Sequence, residues 1–191
     1  MKEQNLGRVV LTNTSRVLFP ELNLTKRDVV EYYLRVAPRI LPHLGDRALV
    51  LQRFPEGVNS PGFYEKDAPA GTPEWVHLHR HYSISARRYL HYIVCDIPET
   101  LIWLANLAAI ELHIPLARLD DPEAPDLLLF DIDPEPPAGF NEAVTASLAL
   151  RELLADLGLE PFVKTSGKKG LHVVIPLAGR YRFSQTRNFV H

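Results

Sequence analysis

The stretch that decides the fold is Leu127-Leu128-Leu129-Phe130-Asp131-Ile132-Asp133-Pro134. Its four successive large apolar residues predict a buried β-strand. Side chains two positions apart on a strand point to the same face of the sheet. Asp131 and Asp133 are therefore expected side by side, with Ile132 facing the core. Pro134 ends the strand, which places the two carboxylates at its C-terminal end.

This acidic pair predicts a metal site. Two carboxylates held close together repel each other unless a cation lies between them. Mg²⁺ or Mn²⁺ suits the pair, because both ions prefer oxygen ligands. Asp-x-Asp is a short motif, however, and an acidic strand end solvated by water is the open alternative.

Length and composition place the chain among ordinary globular proteins. Its 191 residues, 46% hydrophobic and 23% charged, predict one domain over residues 1–191. The single cysteine, Cys95, excludes a disulfide framework and favours a reducing, cytoplasmic location. The sequence shows neither a signal peptide nor a membrane-spanning apolar run, so no membrane partner is expected.

Charge is strongly segregated along the chain. Residues 1–90 contain 13 Lys and Arg against 9 Asp and Glu, and residues 91–163 contain 2 against 14. Residues 164–191 contain 6 Lys and Arg and no acidic residue. An acidic centre flanked by basic segments is typical of a cleft where metal ions and phosphates meet, and chance clustering on solvated faces is the alternative.

A second motif, Thr165-Ser166-Gly167-Lys168-Lys169-Gly170-Leu171-His172, joins two predicted strands. Two glycines permit a tight turn with exposed backbone N–H groups, while lysines and a serine add donors for an anion such as a triphosphate. It is not a Walker A loop, because the spacing differs and no helix follows. A hairpin turn with solubilising lysines is the simpler interpretation of this motif alone.

Taken together, the two motifs resemble the archaeo-eukaryotic primase superfamily. Leu18-Phe19-Pro20, Thr25-Lys26 and Phe63-Tyr64-x-Lys66 extend the resemblance over essentially the whole chain, to the primase-polymerase domains of bacterial DNA ligase D. The resemblance implies an α/β fold: a primase-like mixed sheet with flanking helices and a smaller N-terminal portion that grips DNA.

The resemblance also implies roles for individual residues. Asp131 and Asp133 would bind the metal and, with His113, act in catalysis. The other implied roles are nucleotide binding by Ser166, Lys169 and His172, recognition of a DNA 5′-phosphate by Asn13, Arg16 and Lys26, and stacking on the template by Phe63 and Tyr64. Arginine at position 16, often lysine in relatives, keeps the charge and adds a planar fork, so function is expected to survive.

The implied activity is end-joining repair: addition of (ribo)nucleotides from triphosphates to a DNA 3′ end, with Mn²⁺ or Mg²⁺ as cofactor. Expected partners are gapped or recessed DNA carrying a 5′-phosphate, nucleoside triphosphates, a DNA ligase and a Ku-type end-binding protein, in a nucleoid-associated, cytoplasmic setting. The family has a third metal carboxylate downstream of the second motif, but residues 173–191 contain no Asp or Glu. This predicts a C-terminally short domain that is weakly active or inactive as a polymerase but still binds nucleotide with Mn²⁺. A 5′-phosphate-binding module without catalysis and a metal-dependent phosphoesterase are the alternatives.

Overall fold

The computed structural model describes residues 4–177 and 179–190, with the backbone alone for residues 4 and 5. The chain divides into two compact units, Met1–Pro115 and Leu116–His191, called here the N-terminal and C-terminal units. The elements of the N-terminal unit are β1 (Gln4–Leu6), β2 (Val9–Leu11), β3 (Val17–Phe19), a 3₁₀ turn (Pro20–Leu22), β4 (Leu24–Thr25), α1 (Lys26–Leu44), β5 (Val50–Arg53), β6 (Phe63–Glu65), β7 (Leu78–Ser83), β8 (Arg88–Ile93), α2 (Pro98–Asn106) and β9 (Ala109–His113). Those of the C-terminal unit are β10 (Leu127–Ile132), α3 (Phe140–Asp156), β11 (Phe162–Thr165), β12 (Leu171–Pro176) and α4 (Phe183–Val190).

Thr25 followed three residues later by Asp28 predicts the start of a helix, and α1 begins there. The Thr25 hydroxyl oxygen accepts a hydrogen bond from the Asp28 amide, and the Asp28 carboxylate accepts one from the Thr25 amide at 2.6 Å. This capping box satisfies amides that a helix N-terminus leaves unpaired. The helix buries Val29, Val30 and Tyr33 in the core of the N-terminal unit, where it packs against α2.

The strands of the N-terminal unit form four small sheets rather than one. Three are two-stranded, β1-β2, β3-β4 and β7-β8, and the fourth has the order β6-β5-β9. In that sheet Gln52 of β5 lies between Tyr64 of β6 and Glu111 of β9. Because both pairings place the residues directly opposite each other, these three side chains share one face of the sheet.

The C-terminal unit contains one antiparallel sheet of order β10-β12-β11, with α3 packed on β10 and β12. Alternation along the strands separates its two faces. Leu128, Val173 and Ile175 form the core with Leu154 of α3. The side chains between them face the other way, and Asp131, His172 and Lys164 form a cross-strand row there.

The α/β class is confirmed, but the N-terminal unit is the larger of the two units rather than the smaller portion that the resemblance implies, and the strands differ from the prediction in detail. The strand pairings described between residues 4 and 190 are all antiparallel and spread over five sheets, rather than forming one mixed sheet. Of the four apolar residues opening the central stretch, Leu128 alone is buried, since the strand lies at an edge of its sheet. Ile132 does pack against the core, as predicted.

The sequence predicts a strand over residues 112–119 and a helix N-cap at Ser184, and the structure differs at both boundaries. The strand expected at residues 112–119 runs instead from Ala109 to His113, because Ala108 adopts a left-handed backbone conformation (φ 56°) that ends the helical segment and turns the chain. The last helix begins at Phe183 rather than behind a Ser184 cap. The Gln185 side chain supplies the capping contact by accepting from the Arg182 amide at 2.8 Å. Within the described residues, no helix is both long and apolar enough to cross a membrane.

Candidate functional site

The C-terminal unit brings the two sequence motifs together. Asp131 lies directly opposite His172 on the neighbouring strand, with its Oδ1 3.4 Å from the histidine Nε2. Asp133 follows the end of β10, and its Oδ1 lies 4.0 Å from Lys169 Nζ. The carboxylates stay exposed, with side-chain exposures of 64% and 60%. The acidic pair thus lies beside the basic turn with most of its surface available to a ligand. Whether its carboxyl groups converge on one ion stays a prediction.

His172 has a pKa below its ordinary value. Partial burial is the main cause, and Lys164, directly opposite on β11, adds to it by repelling a second positive charge. Asp131 acts in the opposite direction. The net result favours the neutral ring, which can both donate and accept a hydrogen bond.

The Ser166–Gly170 turn is organised around the Ser166 hydroxyl. The Ser166 amide donates to the Gly170 carbonyl at 3.0 Å, which closes the turn. The Ser166 Oγ accepts from the amides of Lys168 (3.3 Å) and Gly170 (3.2 Å). These two amides are therefore directed inward rather than left exposed for an anion, contrary to the expectation for this turn. With its oxygen accepting twice, the serine hydroxyl retains its own hydrogen to donate to a phosphate oxygen.

Gly170 fits against the end of β10. A Cβ atom at this position would lie 2.3 Å from the Ile132 carbonyl oxygen and 3.2 Å from the Asp133 Cα. Real Cβ atoms do not approach backbone so closely, so glycine permits the basic turn to lie directly against the acidic strand end. Gly167 is needed for another reason, its φ of +94°, since no atom lies near its added Cβ.

The donors at the end of β10 fit a hard divalent ion shared with a substrate. Among the described residues, no group of three or more His, Cys, Asp or Glu side chains could hold an ion unaided. Two exposed carboxylates remain, and Mg²⁺ is commonly held by one or two carboxylates, with water and substrate phosphates completing its shell. Asp131 and Asp133 are therefore the residues that would hold the metal.

The N-terminal unit brings together the residues expected to contact a 5′-phosphate. Asn13 adopts a left-handed conformation (φ 51°), and its carbonyl accepts from the Arg16 amide in a tight turn. The Arg16 carbonyl in turn accepts from the Lys26 amide at 2.8 Å. The Arg16 guanidinium donates to the Pro55 carbonyl at 2.8 Å and pairs with Glu56.

Lys26 is buried, with 7% of its surface exposed. Its Nζ donates to the Asn106 carbonyl at 2.8 Å. Burial lowers the pKa of Lys26, and repulsion from Arg16 and then Arg53 lowers it further. Lys26, Arg16 and Arg53 thus concentrate positive charge, and the hydrogen-bond acceptor of Lys26 is an uncharged carbonyl. A bound phosphate would relieve the repulsion between these cations, so the site suits an anion.

The N-terminus of α1 lies next to these residues in the sequence, but it does not provide the anion site that a free helix N-terminus would. The Asp28 carboxylate accepts from both the amide and the hydroxyl of Thr25, each at 2.6 Å. These hydrogen bonds lower the pKa of Asp28, so a negative charge already occupies the helix end. Recognition of a phosphate there would depend on side chains.

Phe63 and Tyr64, the residues expected to stack on the template, lie on one exposed strand but on opposite faces. Phe63 pairs with Arg53, and the centroid of its ring lies 5.2 Å from the guanidinium carbon of that arginine. Tyr64 pairs with Gln52, and its ring centroid is 5.5 Å from that of His113. Their exposures of 43% and 61% leave both rings accessible, as two separate stacking surfaces.

Several residues of these sites were missed by sequence reasoning. The position of Lys164 could have been predicted from the sequence, because a hairpin closed by Ser166 and Gly170 places residue 164 opposite residue 172. Arg53, which pairs with Glu65 at 2.8 Å, carried no local signal, since its proximity to Lys26 arises from tertiary packing.

Comparisons with known proteins agree on one family. A family profile described as "LigD, primase-polymerase domain" matches residues 25–191. The multifunctional non-homologous end joining DNA repair protein LigD of Mycobacterium tuberculosis is 37% identical over 178 residues, covering 89% of this chain and 23% of that protein. The bifunctional non-homologous end joining protein LigD of Bacillus subtilis is 32% identical over 183 residues, covering 95% of this chain and 29% of that protein.

The structural comparison gives the same result. The polymerase domain of Mycobacterium tuberculosis ligase D in complex with DNA matches with a TM-score of 0.82 and 36% identity, covering 89% of this chain and 61% of that one. The chain thus spans less than a third of the length of these two LigD proteins. The chain belongs to the family of LigD primase-polymerase domains.

Proposed function

We propose that this chain transfers nucleotides from nucleoside triphosphates to a DNA 3′ end during end-joining repair, at the end of β10, with Mn²⁺ or Mg²⁺ as cofactor. The observation that carries the proposal is the contact between the two motifs: Asp131 lies 3.4 Å from His172, and Asp133 lies 4.0 Å from Lys169. An acidic pair next to a basic turn gives metal and triphosphate a common site.

Each residue of this unit has a defined task in the proposed reaction. Asp131 and Asp133 would hold the metal, which when bound neutralises phosphate charge and lowers the pKa of the attacking 3′-hydroxyl. Ser166 donates its hydroxyl hydrogen to a phosphate oxygen, and Lys169 balances negative charge. His172, with its neutral form favoured, supplies a hydrogen bond at the same face. Rate acceleration would come from positioning and charge stabilisation.

The N-terminal unit has the complementary task of binding DNA. Arg16 and Lys26 would contact the 5′-phosphate of the downstream strand beside the Asn13 turn, and the exposed rings of Phe63 and Tyr64 would stack on template bases. The family resemblance assigns His113 to the incoming nucleotide. We extend the proposal to a DNA ligase and a Ku-type end-binding protein as partners, in a cytoplasmic, nucleoid-associated setting.

The test is primer extension on gapped DNA bearing a 5′-phosphate, with Mn²⁺ and labelled ribo- or deoxyribonucleoside triphosphates. Asp131→Asn removes a metal ligand, and Glu152→Gln makes the same chemical change at an exposed position of α3. We expect weak template-directed extension by the wild type and by Glu152→Gln, and at least about 100-fold slower extension by Asp131→Asn.

Measurements of DNA binding and of phosphate release, made beside the extension assay, separate the alternatives. DNA binding that depends on the 5′-phosphate, without extension, would identify a binding module and overturn the catalytic proposal. Phosphate release without DNA growth would identify a phosphoesterase.

A further inference from the structure

A polar and aromatic row crosses the β6-β5-β9 sheet of the N-terminal unit. Tyr64, Gln52 and Glu111 stand opposite one another on three adjacent strands. His113 lies two residues beyond Glu111 on β9, so it shares their face. Sequence reasoning singled out Tyr64 and His113, whereas Gln52 and Glu111 have no role in the proposed function so far.

Glu111 connects the members of this row. One of its carboxylate oxygens lies 3.2 Å from the His113 Nε2. With the Gln52 amide oriented so that both of its groups are satisfied, the amide nitrogen donates to the same carboxylate at 2.9 and 3.2 Å. The carboxylate is thereby fixed from one side by Gln52 and contacts the imidazole on the other.

The contact with Glu111 bears on which ring nitrogen of His113 carries the hydrogen and which one can accept a hydrogen bond from a ligand. A carboxylate accepts hydrogen bonds and cannot donate them, so the contact with Glu111 favours the tautomer that carries its hydrogen on Nε2. The other nitrogen, Nδ1, is then left for a ligand. The ring also lies against Tyr64, at 5.5 Å between centroids and an interplanar angle of 57°. His113 and Glu111 remain partly exposed, at 44% and 36% of their side chains, so a ligand can reach them.

We propose that Glu111 is a positioning residue that fixes the tautomer and orientation of His113, and through it the ring of Tyr64, with Gln52 holding the carboxylate in place. This inference rests on the proposed function, in which His113 contacts the incoming nucleotide and Tyr64 the template. A carboxylate that orients a functional histidine in this way is common at sites where imidazole geometry matters.

The experiment combines a spectroscopic and a kinetic measurement on the full chain. Nitrogen-15 NMR at alkaline pH reads which ring nitrogen of His113 carries the hydrogen, in the wild type, Glu111→Ala and Glu111→Asp. Extension kinetics are measured for the same proteins, for His113→Ala and for the double variant. Glu31→Gln, on the exposed face of α1, is the control for a lost carboxylate in this unit.

We expect the hydrogen on Nε2 in the wild type and a mixture of tautomers in Glu111→Ala, with partial restoration by aspartate. The value of kcat/KM should fall about tenfold in Glu111→Ala, the low end of what losing a carboxylate partner costs a histidine at metal sites. In a His113→Ala background the same change should have little further effect, because the two residues act together.

Unchanged nitrogen shifts in Glu111→Ala, or kinetic losses that simply add in the double variant, would overturn the inference. Absence of extension by the wild type would be a failure of the proposed function instead. The nitrogen shifts would then decide alone whether Glu111 positions His113.

Discussion

Two lysines show how differently the two units use positive charge. Lys26 in the N-terminal unit is 7% exposed, and its ammonium is hydrogen-bonded to the Asn106 carbonyl. Lys169 in the C-terminal unit has 56% of its side chain exposed and lies 4.0 Å from Asp133, the outer limit of an ion pair. Lys26, proposed to bind DNA, is thus held by the protein before a ligand arrives, whereas Lys169, proposed to bind the triphosphate, depends on the ligand for its final geometry.

We predict that removing a metal-binding side chain lowers the rate of catalysis more than any substitution in the N-terminal unit does. Asp131→Asn should lower the extension rate by at least about 100-fold, because the metal contributes several kcal/mol to transition-state stabilisation. Binding of gapped DNA, measured by fluorescence anisotropy at fixed salt, should stay within about twofold of the wild type. If Asp131→Asn lost DNA binding as well as extension, the proposal that the N-terminal unit binds DNA and the C-terminal unit catalyses the reaction would be wrong.

The next largest effect is on the free energy of unfolding, and it comes from the packing of the Ser166–Gly170 turn against β10. Gly170→Ala should destabilise the protein by about 3 kcal/mol, because the new Cβ would meet the Ile132 carbonyl at 2.3 Å. Gly167→Ala, in the same turn but with open space around its Cβ, should lose only about 1 kcal/mol through its left-handed backbone. Urea unfolding compares the two variants, and equal losses would refute the packing explanation.

The buried lysine should make recognition of the 5′-phosphate depend on pH. Its folded-state pKa lies below the ordinary 10.5, so the folded protein releases this proton while the unfolded chain still holds it. The free energy of unfolding should therefore gain a contribution that rises with pH between the lowered pKa and 10.5. Phosphate binding needs the charged form, so the preference for 5′-phosphorylated over unphosphorylated DNA should decline as pH rises through the lowered pKa.

Two variants sharpen this prediction. Lys26→Met keeps the apolar stem and should lower the preference about tenfold near neutral pH, the value of one charge-assisted hydrogen bond. Lys26→Arg stays charged throughout, so its preference should persist to higher pH than that of the wild type. Identical pH profiles for wild type and Lys26→Arg would show that Lys26 does not contact the phosphate.

The smallest expected effect concerns the start of α1. Thr25→Ala removes the hydroxyl half of the capping box and should lower the free energy of unfolding by about 1 kcal/mol. Thr145→Ala, whose exposed hydroxyl donates to the Asn141 carbonyl within α3, should change it by less than about 0.5 kcal/mol. Chemical denaturation tests both, and a loss at Thr145 equal to that at Thr25 would contradict the cap as the cause.

Local patterns predicted much of what the structure shows. Alternation placed Ile132 against the core, and the spacing from Thr25 to Asp28 located the start of α1. These features depend on neighbours along the chain. Hairpin symmetry around the basic turn would also have placed Lys164 opposite His172.

Contacts between distant segments were beyond such reasoning. Nothing near Glu111 in the sequence indicates that Gln52, on another strand, holds its carboxylate. The burial of Lys26 likewise depends on the Asn106 carbonyl, 80 residues away. Phe63 and Tyr64 face opposite ways because side chains alternate along a strand, but the sequence alone does not indicate that Phe63–Glu65 is a strand.

The most direct test of the account is calorimetric titration of a nucleoside triphosphate into the protein without DNA, with and without Mn²⁺. We predict binding that requires Mn²⁺, is lost in Asp131→Asn and weakened in Lys169→Ala, and is unchanged in Lys26→Met. Equally tight binding without the metal, or by Asp131→Asn, would contradict the claim that the acidic strand end and the basic turn form one metal-dependent triphosphate site.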